Sequence, residues 1–426
     1  MKKSYWFYIE PYVHLAVNGS AALVYNCLNG KLTEYDNPVI VNLVKRLKSK
    51  KNLLVARLSA DRLTDPVISA FVKEMREFYS GDLIDISYSK GKPLQMMPQV
   101  KIQKDAAKSL KVGEKTIGEG IMEYLKEITL YINNSCQQNC YFCRDAYKQF
   151  LVCSKSGGSH KQELEIEKVK QFLKEAEGSS LFRINISGGN VFTYSKFAEL
   201  VRVLNNMPKI KTYNVYYLNL PHRETELKSL NNELSYVNIF VDFPVREQDL
   251  ENVVAMCSES GLNCEFNFVL QKEEDIDAAQ EISSRLKIDN VVFKPFYNQE
   301  NYDFFKNNVF VNKEELLQAK PGLKDIYART KVNPLHFGRI TVLSNGAIQA
   351  NVNTGKIGEL GRDSLYDAVL REMYEGYSWI NPRVKVSPCK SCNYSLLCSP
   401  ISNYEYVLKR NDLCNINAVT AKNEIK

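Results

Sequence analysis

Histidine is scarce in this 426-residue chain: His14, His160, His222 and His336 are the only four, and they show no paired metal spacing. Long apolar runs are missing too, so nothing in the sequence is built to span a bilayer. The opening stretch "MKKSYWFYIEPYVHLAV" lacks a small-residue cleavage site, and Glu10 and His14 interrupt its apolar character. It therefore reads as structure rather than as a signal peptide, and the expected location is the cytoplasm. There is no repeat of solenoid period and no low-complexity tract, which removes array and disordered classes. What is present is ordinary for a globular protein: 44% hydrophobic and 25% charged residues, enough for a sizeable core in two or three domains. The net charge of +7 is spread over many lysines, and its one dense run, Lys45–Lys51, reads as a solvated helix end. No aromatic-basic stripe accompanies it, so neither nucleic acid nor membrane is an expected partner.

The chain changes pattern along its length. Asn18-Gly19 and Asn29-Gly30 are strong hairpin turns, because both residue types tolerate positive φ. A helix is expected from an Asn37 cap and Pro38 with Ile40, Leu43, Val44 and Leu47 on one face, and a second from Asp65-Pro66 with Ile68, Phe71, Val72 and Met75. Three short strands followed by helices predict a winged-helix-like α+β module over residues 1–88. A Lys-rich linker is expected over residues 89–122. Strand-helix alternation then runs over 123–335, with strands at Glu127–Ile132, Phe182–Ser187, Thr212–Leu218, Tyr236–Asp242, Cys264–Leu270 and Asn290–Phe296. Six such units predict an α/β fold, a partial (β/α)6 barrel with its site at the carboxyl ends of the strands. The last part, 336–426, carries a hairpin at Asn345-Gly346, a short helix at Ser364–Tyr374 and a second group of cysteines.

Eleven cysteines in a reducing compartment point to metal ligands over disulfides. Three of them, Cys136, Cys140 and Cys143 in "NNSCQQNCYFCRDAY", follow the first barrel strand. Three thiolates on one loop can hold three irons of an iron–sulfur cube and leave the fourth open, whereas structural zinc wants a closed set of four ligands. Here the chain resembles the radical S-adenosylmethionine (SAM) enzymes, in which this spacing holds a [4Fe–4S] cluster whose open iron chelates SAM. The resemblance implies an adenine contact for Phe142. It also implies a SAM amino-group contact at the turn in "RINISGGNVF", where Ser187, Gly188 and Gly189 match and Asn190 replaces the family's acid. Asn219, Asp242 and Asn267 fall where the family places polar groups near the ribose and methionine carboxylate, though each also suits a strand-end cap.

Near the end, Cys389, Cys392, Cys398 and Cys414 can close a second [4Fe–4S] cluster or a zinc site, and spacing does not separate the two. With the preceding "HFGRITVLSNGAIQANVNTGKIGEL", this region resembles the SPASM domain of radical SAM peptide-modifying enzymes. That domain commonly carries two auxiliary clusters; here Asn351 and Ser402 stand where ligands of one would fall, so one auxiliary cluster is expected. Cys257 and Cys264 read as small core residues; Cys153, close to the cysteine loop, reads as packing with an exposed ligand role as the alternative, and Cys27 is left over. The N-terminal module resembles, less specifically, the PqqD-like leader-recognition domains fused to peptide maturases. Together these resemblances imply a SAM-dependent maturase of a ribosomal precursor peptide that forms a cross-link and is reduced by a donor such as flavodoxin or ferredoxin. The alternative is a catalytically degenerate scaffold of the same fold, which Asn190 favours and the intact cysteine loop opposes.

Overall fold

The computed structural model describes residues 3–89, 91–95, 102, 120–156, 160–230 and 233–416, so most of the expected linker lies outside the described residues. The N-terminal part contains six strands, β1 (Ser4–Ile9), β2 (Val13–Asn18), β3 (Ala21–Asn26), β4 (Leu32–Tyr35), β5 (Val55–Ser59) and β6 (Gly81–Asp85). They form two three-stranded antiparallel sheets, β2-β3-β4 and β5-β1-β6. The expectation of three strands falls short because β1, β5 and β6 pair across long stretches of sequence, with no turn chemistry to announce them. The two asparagine-glycine turns do join β2 to β3 and β3 to β4, with Gly19 and Gly30 at positive φ.

Both expected helices form. In Pro38–Lys48 the Asn37 side chain accepts from the Val39 N–H, and in Pro66–Glu77 Asp65 accepts from Val67 and Ile68, so each cap satisfies otherwise orphaned donors. Their apolar faces join Phe7, Ile9, Leu15, Val24 and Leu58 in one core, with Phe7 and Phe71 edge to face at 5.9 Å. The opposite face of β2-β3-β4 docks on the C-terminal part: Ala16, Leu23 and Tyr25 pack against Leu316, Ile326, Tyr394 and Leu397. The Tyr25 hydroxyl donates to the Pro321 carbonyl at 3.0 Å.

The rest is a mixed α/β body built on one large, mostly parallel sheet. Strands β7 (Glu127–Tyr131), β8 (Arg183–Ser187), β9 (Ile210–Tyr216), β10 (Ser235–Val241), β11 (Asn263–Leu270) and β12 (Val291–Pro295) lie side by side in sequence order, all parallel. Helices Ile166–Glu175, Phe197–Asn205, Glu247–Ser260 and Glu273–Leu286 cover one face, which is rich in Ile, Leu and Val because it is dry. Beyond β7 the sheet gains β13 (Arg339–Val342), parallel to β7, and the antiparallel β14 (Ala347–Gln349) and β15 (Gly358–Glu359). The hairpin expected at Asn345-Gly346 therefore extends the large sheet rather than founding a separate one. Register alone does not reveal this, because β13 joins an edge left open two hundred residues earlier.

The other face of this sheet is polar. Asn185 donates to Glu127 Oε1 at 2.7 Å and to Thr129 Oγ1 at 3.2 Å, Asn238 to Asn214 Oδ1 at 3.2 Å, and Asn267 to Glu265 Oε1 at 3.0 Å. Strands β7 and β12 stand at distant places in the sheet, yet both line one cavity of about 610 Å³. The sheet thus curls round an interior where the polar side chains of the strands meet apolar ones such as Phe150, Phe293 and Tyr404. No helix among the described residues is long and apolar enough to cross a membrane.

Candidate functional site

The loop after β7 carries Cys136, Cys140 and Cys143 to the carboxyl ends of the strands, and Asn133 fixes it there. The Asn133 side chain, fully buried, donates to the Asn190 carbonyl at 2.8 Å and accepts from the Gly189 N–H at 3.0 Å. The Asn190 N–H in turn donates to the Ser135 carbonyl at 2.7 Å. Cysteine loop and Gly-Gly turn are therefore one hydrogen-bonded unit. Two glycines are needed for this approach: Gly188 has φ +149°, and a Cβ on Gly189 would stand 2.4 Å from the Ser135 carbonyl oxygen. From the other side, the Ser154 N–H donates to the Gly188 carbonyl at 2.6 Å, Ser187 Oγ to the Val152 carbonyl at 2.7 Å, and Lys155 Nζ to the Gln138 carbonyl at 2.9 Å. Asn133 carries no motif, and the Val152–Ser156 segment offers the sequence only Cys153, which the structure buries rather than exposes.

The three thiols share one electrostatic environment. Burial pushes the Cys140 thiol up, and the negative charges of Asp242, Cys143 and Cys136 push it further. Asn219 Nδ2 reaches Cys136 Sγ at 3.6 Å, and the Lys155 N–H reaches Cys143 Sγ at 3.5 Å. Asp242 accepts from the Tyr216 hydroxyl at 2.6 Å, and its burial drives the carboxyl up against the pull of that bond. Asn219 and Asp242 thus stand beside the cysteines. Asn267 lies deeper: it pairs in register with Phe240, two residues before Asp242, and its amide is spent on Glu265. Phe142 is fully buried, packed against Tyr141 and Tyr216, while the neighbouring Tyr141 is 42% exposed. Tyr141 also borders a cavity of about 510 Å³ with Phe296 and Tyr297. The Asn190 amide oxygen accepts from the Phe192 N–H at 3.1 Å and so caps the turn Val191–Thr193. Three thiols on one loop, aimed into a polar strand-end site, fit a cubane cluster with one iron left open.

The second cysteine group is held by different means. Cys389 opens the turn Cys389–Ser391 and Cys392 closes it, Cys398 follows a turn closed by its own N–H on the Tyr394 carbonyl at 2.8 Å, and Cys414 is brought in by a bridge to Val311. Burial pushes the Cys398 thiol up to about 11, and Cys414 and Cys389 are among the charges it feels. A four-thiol donor set linked in this way fits a closed cluster. Among the described residues, no three His, Cys, Asp or Glu side chains are placed to hold a single metal ion.

Asn351 and Ser402 line the cavity of about 610 Å³ together with His336, Asn403, Glu127 and Arg339. Asn351 Nδ2 donates to Asn403 Oδ1 at 2.6 Å and lies 3.3 Å from the His336 ring nitrogens. Burial pulls the His336 imidazole down to about 4, so it stays neutral in the folded chain where an exposed imidazole takes a proton. This group contributes stability that is present above the ordinary value of about 6.5 and is lost as pH falls towards 4. The expected loss at pH 5 is about 2 kcal/mol. Urea unfolding of the metal-free protein at neutral and mildly acid pH checks it, and His336→Asn should reduce the pH dependence by that amount.

A second cleft, about 650 Å³, lies in the N-terminal part between β6 and the helix Pro66–Glu77, lined by Tyr8, Tyr12, Ser69, Lys73, Arg76 and Leu83. Among the described residues β6 pairs with β1 on one side only.

The fold and site define a mixed α/β protein with a large, mostly parallel sheet and a three-thiol loop at its strand ends. No family model matches the chain, and no curated protein matches it in sequence. Among solved structures, SuiB of Streptococcus suis bound to S-adenosylmethionine matches over 96% of this chain and 100% of its own, with TM-score 0.50 at 14% identity. SuiB bound to precursor peptide SuiA matches over the same shares, with TM-score 0.51 at 14% identity. At such identity the likeness concerns the fold.

Proposed function

We propose that this chain is a radical SAM enzyme that modifies a ribosomally made precursor peptide, built as a partial (β/α)6 barrel with a SPASM-type C-terminal domain. The observation that carries the reading is the bonding of the Cys136–Cys143 loop to the Gly188-Gly189 turn through Asn133. It sets a three-thiolate donor set beside backbone groups free of side chains. Cys136, Cys140 and Cys143 would hold a [4Fe–4S] cluster that, given one electron by an external protein donor, would cleave SAM to methionine and a 5'-deoxyadenosyl radical able to take a hydrogen atom from an unactivated carbon.

The chain's own residues bind, orient and exclude water. Asn190, Asn219 and Asp242 offer acceptors for the SAM ammonium and hydroxyls, and Tyr141 is the exposed aromatic face beside them. The interior of the curled sheet, with its cavity of mixed polar and apolar lining at Asn351, His336 and Phe150, would take the reacting part of the peptide, where asparagine and serine stand in place of auxiliary ligands. The open edge of β6 and its cleft would take the leader as an added strand. The likeness to a protein crystallised with SAM and with its precursor peptide supports both ligands.

Anaerobic reconstitution tests the reading: about eight iron and eight sulfide per chain, for two cubane clusters, and deoxyadenosine on reduction with SAM. A chain that takes up iron and sulfide but neither binds nor cleaves SAM would instead be the degenerate scaffold. Asn190 gives a finer test. Asn190→Asp keeps the cap on Phe192 and adds a charge opposite the SAM ammonium. Since charged hydrogen bonds exceed neutral ones by about 1–2 kcal/mol, the variant should bind SAM roughly ten-fold more tightly. Equilibrium dialysis of the reconstituted proteins measures this, and looser binding in the aspartate variant would mean a pocket remade around the amide.

A further inference from the structure

The C-terminal cysteines are accompanied by a buried charge that the proposed reaction does not use. Arg383 is only 8% exposed, yet its guanidinium is heavily engaged. Nε donates to the Ser399 carbonyl at 2.7 Å, Nη1 to the Asn411 carbonyl at 2.6 Å, and Nη2 to the Pro400 carbonyl at 3.2 Å. Nη1 also donates to Cys389 Sγ at 3.4 Å. On its far side Nη1 lies 2.7 Å from Glu405 Oε1, which is itself 2% exposed. The Glu405 carboxylate is anchored by the Ser402 N–H at 2.6 Å.

A buried ion pair is weak evidence for stability, because desolvation consumes most of the attraction. Its position is informative here. The three carbonyls belong to the segment between Cys398 and Cys414, two just after the first cysteine and one just before the second, so Arg383 ties both ends of that ligand segment together. The fourth contact puts an N–H of a permanent cation on a ligand sulfur. Hydrogen bonds to ligand sulfurs and nearby charge set the potential of iron–sulfur clusters. An added electron increases the negative charge on the sulfurs, so a cation bonded to one of them stabilises the reduced form more than the oxidised form.

We infer that Arg383 is a positioning residue that raises the reduction potential of the cluster held by Cys389, Cys392, Cys398 and Cys414, with Glu405 as the opposing charge. This rests on the reading of those cysteines as a cluster site. A raised potential suits an acceptor for the single electron that a peptide radical gives up, with a proton to water, when it closes a cross-link. Arginine does this where lysine serves less well, because one planar fork reaches the carbonyls and the sulfur together.

The test is a mediated redox titration of the reconstituted full-length chain, followed by electron paramagnetic resonance. The relevant signal is the one that does not change when SAM is added. Its midpoint should move to more negative potential in Arg383→Gln and to more positive potential in Glu405→Gln, while Arg383→Lys should fall between wild type and Arg383→Gln. A merely structural role would not shift the two variants in opposite directions. Midpoints equal to wild type in Glu405→Gln and Arg383→Lys, or shifts of the same sign in the two glutamine variants, overturn the inference even if Arg383→Gln fails to fold. A wild-type chain with one cluster and no SAM-insensitive signal overturns it by removing the cluster reading beneath it.

Discussion

Replacing Cys136, Cys140 and Cys143 together by alanine is expected to abolish deoxyadenosine formation and to remove about half of the bound iron, the second cluster remaining. The argument is geometric as well as chemical. All three thiols stand on one loop, and Cys140 feels the charge of both others and of Asp242. A cluster there needs thiolates, whereas burial holds the free Cys140 thiol protonated, so loading must release protons and should proceed better as pH rises. The apoprotein should stay folded, because the loop keeps the bonds of Asn133 and of the Lys155 ammonium when the weaker, longer contacts to the cysteine sulfurs are lost. Iron and sulfide analysis with chromatographic detection of deoxyadenosine decides the matter. Full production by the triple variant would mean that SAM chemistry occurs elsewhere or not through this loop.

The second large effect belongs to the cleft of the N-terminal part. Removing the whole module is a poor experiment, because Leu23 and Tyr25 cover Leu316, Ile326, Tyr394 and Leu397 next to the second cysteine group. Filling the cleft is cleaner. Ser69 and Lys73 are exposed on the helix Pro66–Glu77 and line the groove opposite β6. Tryptophan at both positions should block an added strand without touching the core, and modification of the precursor peptide should fall about 100-fold, equivalent to losing about 3 kcal/mol of anchoring. Deoxyadenosine formed without peptide serves as the control for a folded, cluster-bearing chain. Peptide affinity equal to wild type in the filled variant would place leader recognition on another surface.

Much of this was legible in the residues, and the reason differs from element to element. The caps Asn37 and Asp65 and the helices behind them are local: a side-chain oxygen satisfies N–H groups two or three residues away, and spacing states the result. The six parallel strands are legible because each is short, apolar on its dry face and separated from the next by a helix. By contrast, β1, β5 and β6 were not, since they pair over tens of residues and carry no turn between them. Asn133 was invisible for the same reason: an asparagine after a strand is unremarkable until the Gly188-Gly189 turn arrives beside it.

The spacing of Cys136, Cys140 and Cys143 by itself indicated the candidate chemistry of this protein, because three thiols on one short loop can turn to a common cluster. The same holds for the Cys389–Cys398 run. Tertiary structure alone decided which aromatic is accessible at the loop, burying Phe142 and leaving Tyr141 open, because neighbouring side chains point to different sides of the chain. It alone placed Asn351, His336 and Asn403 in one cavity and set Arg383 against Cys389. Such contacts join segments with no local preference for one another. Their geometry comes from the burial of the large sheet and its curl, a property of the whole chain that no short stretch of it carries.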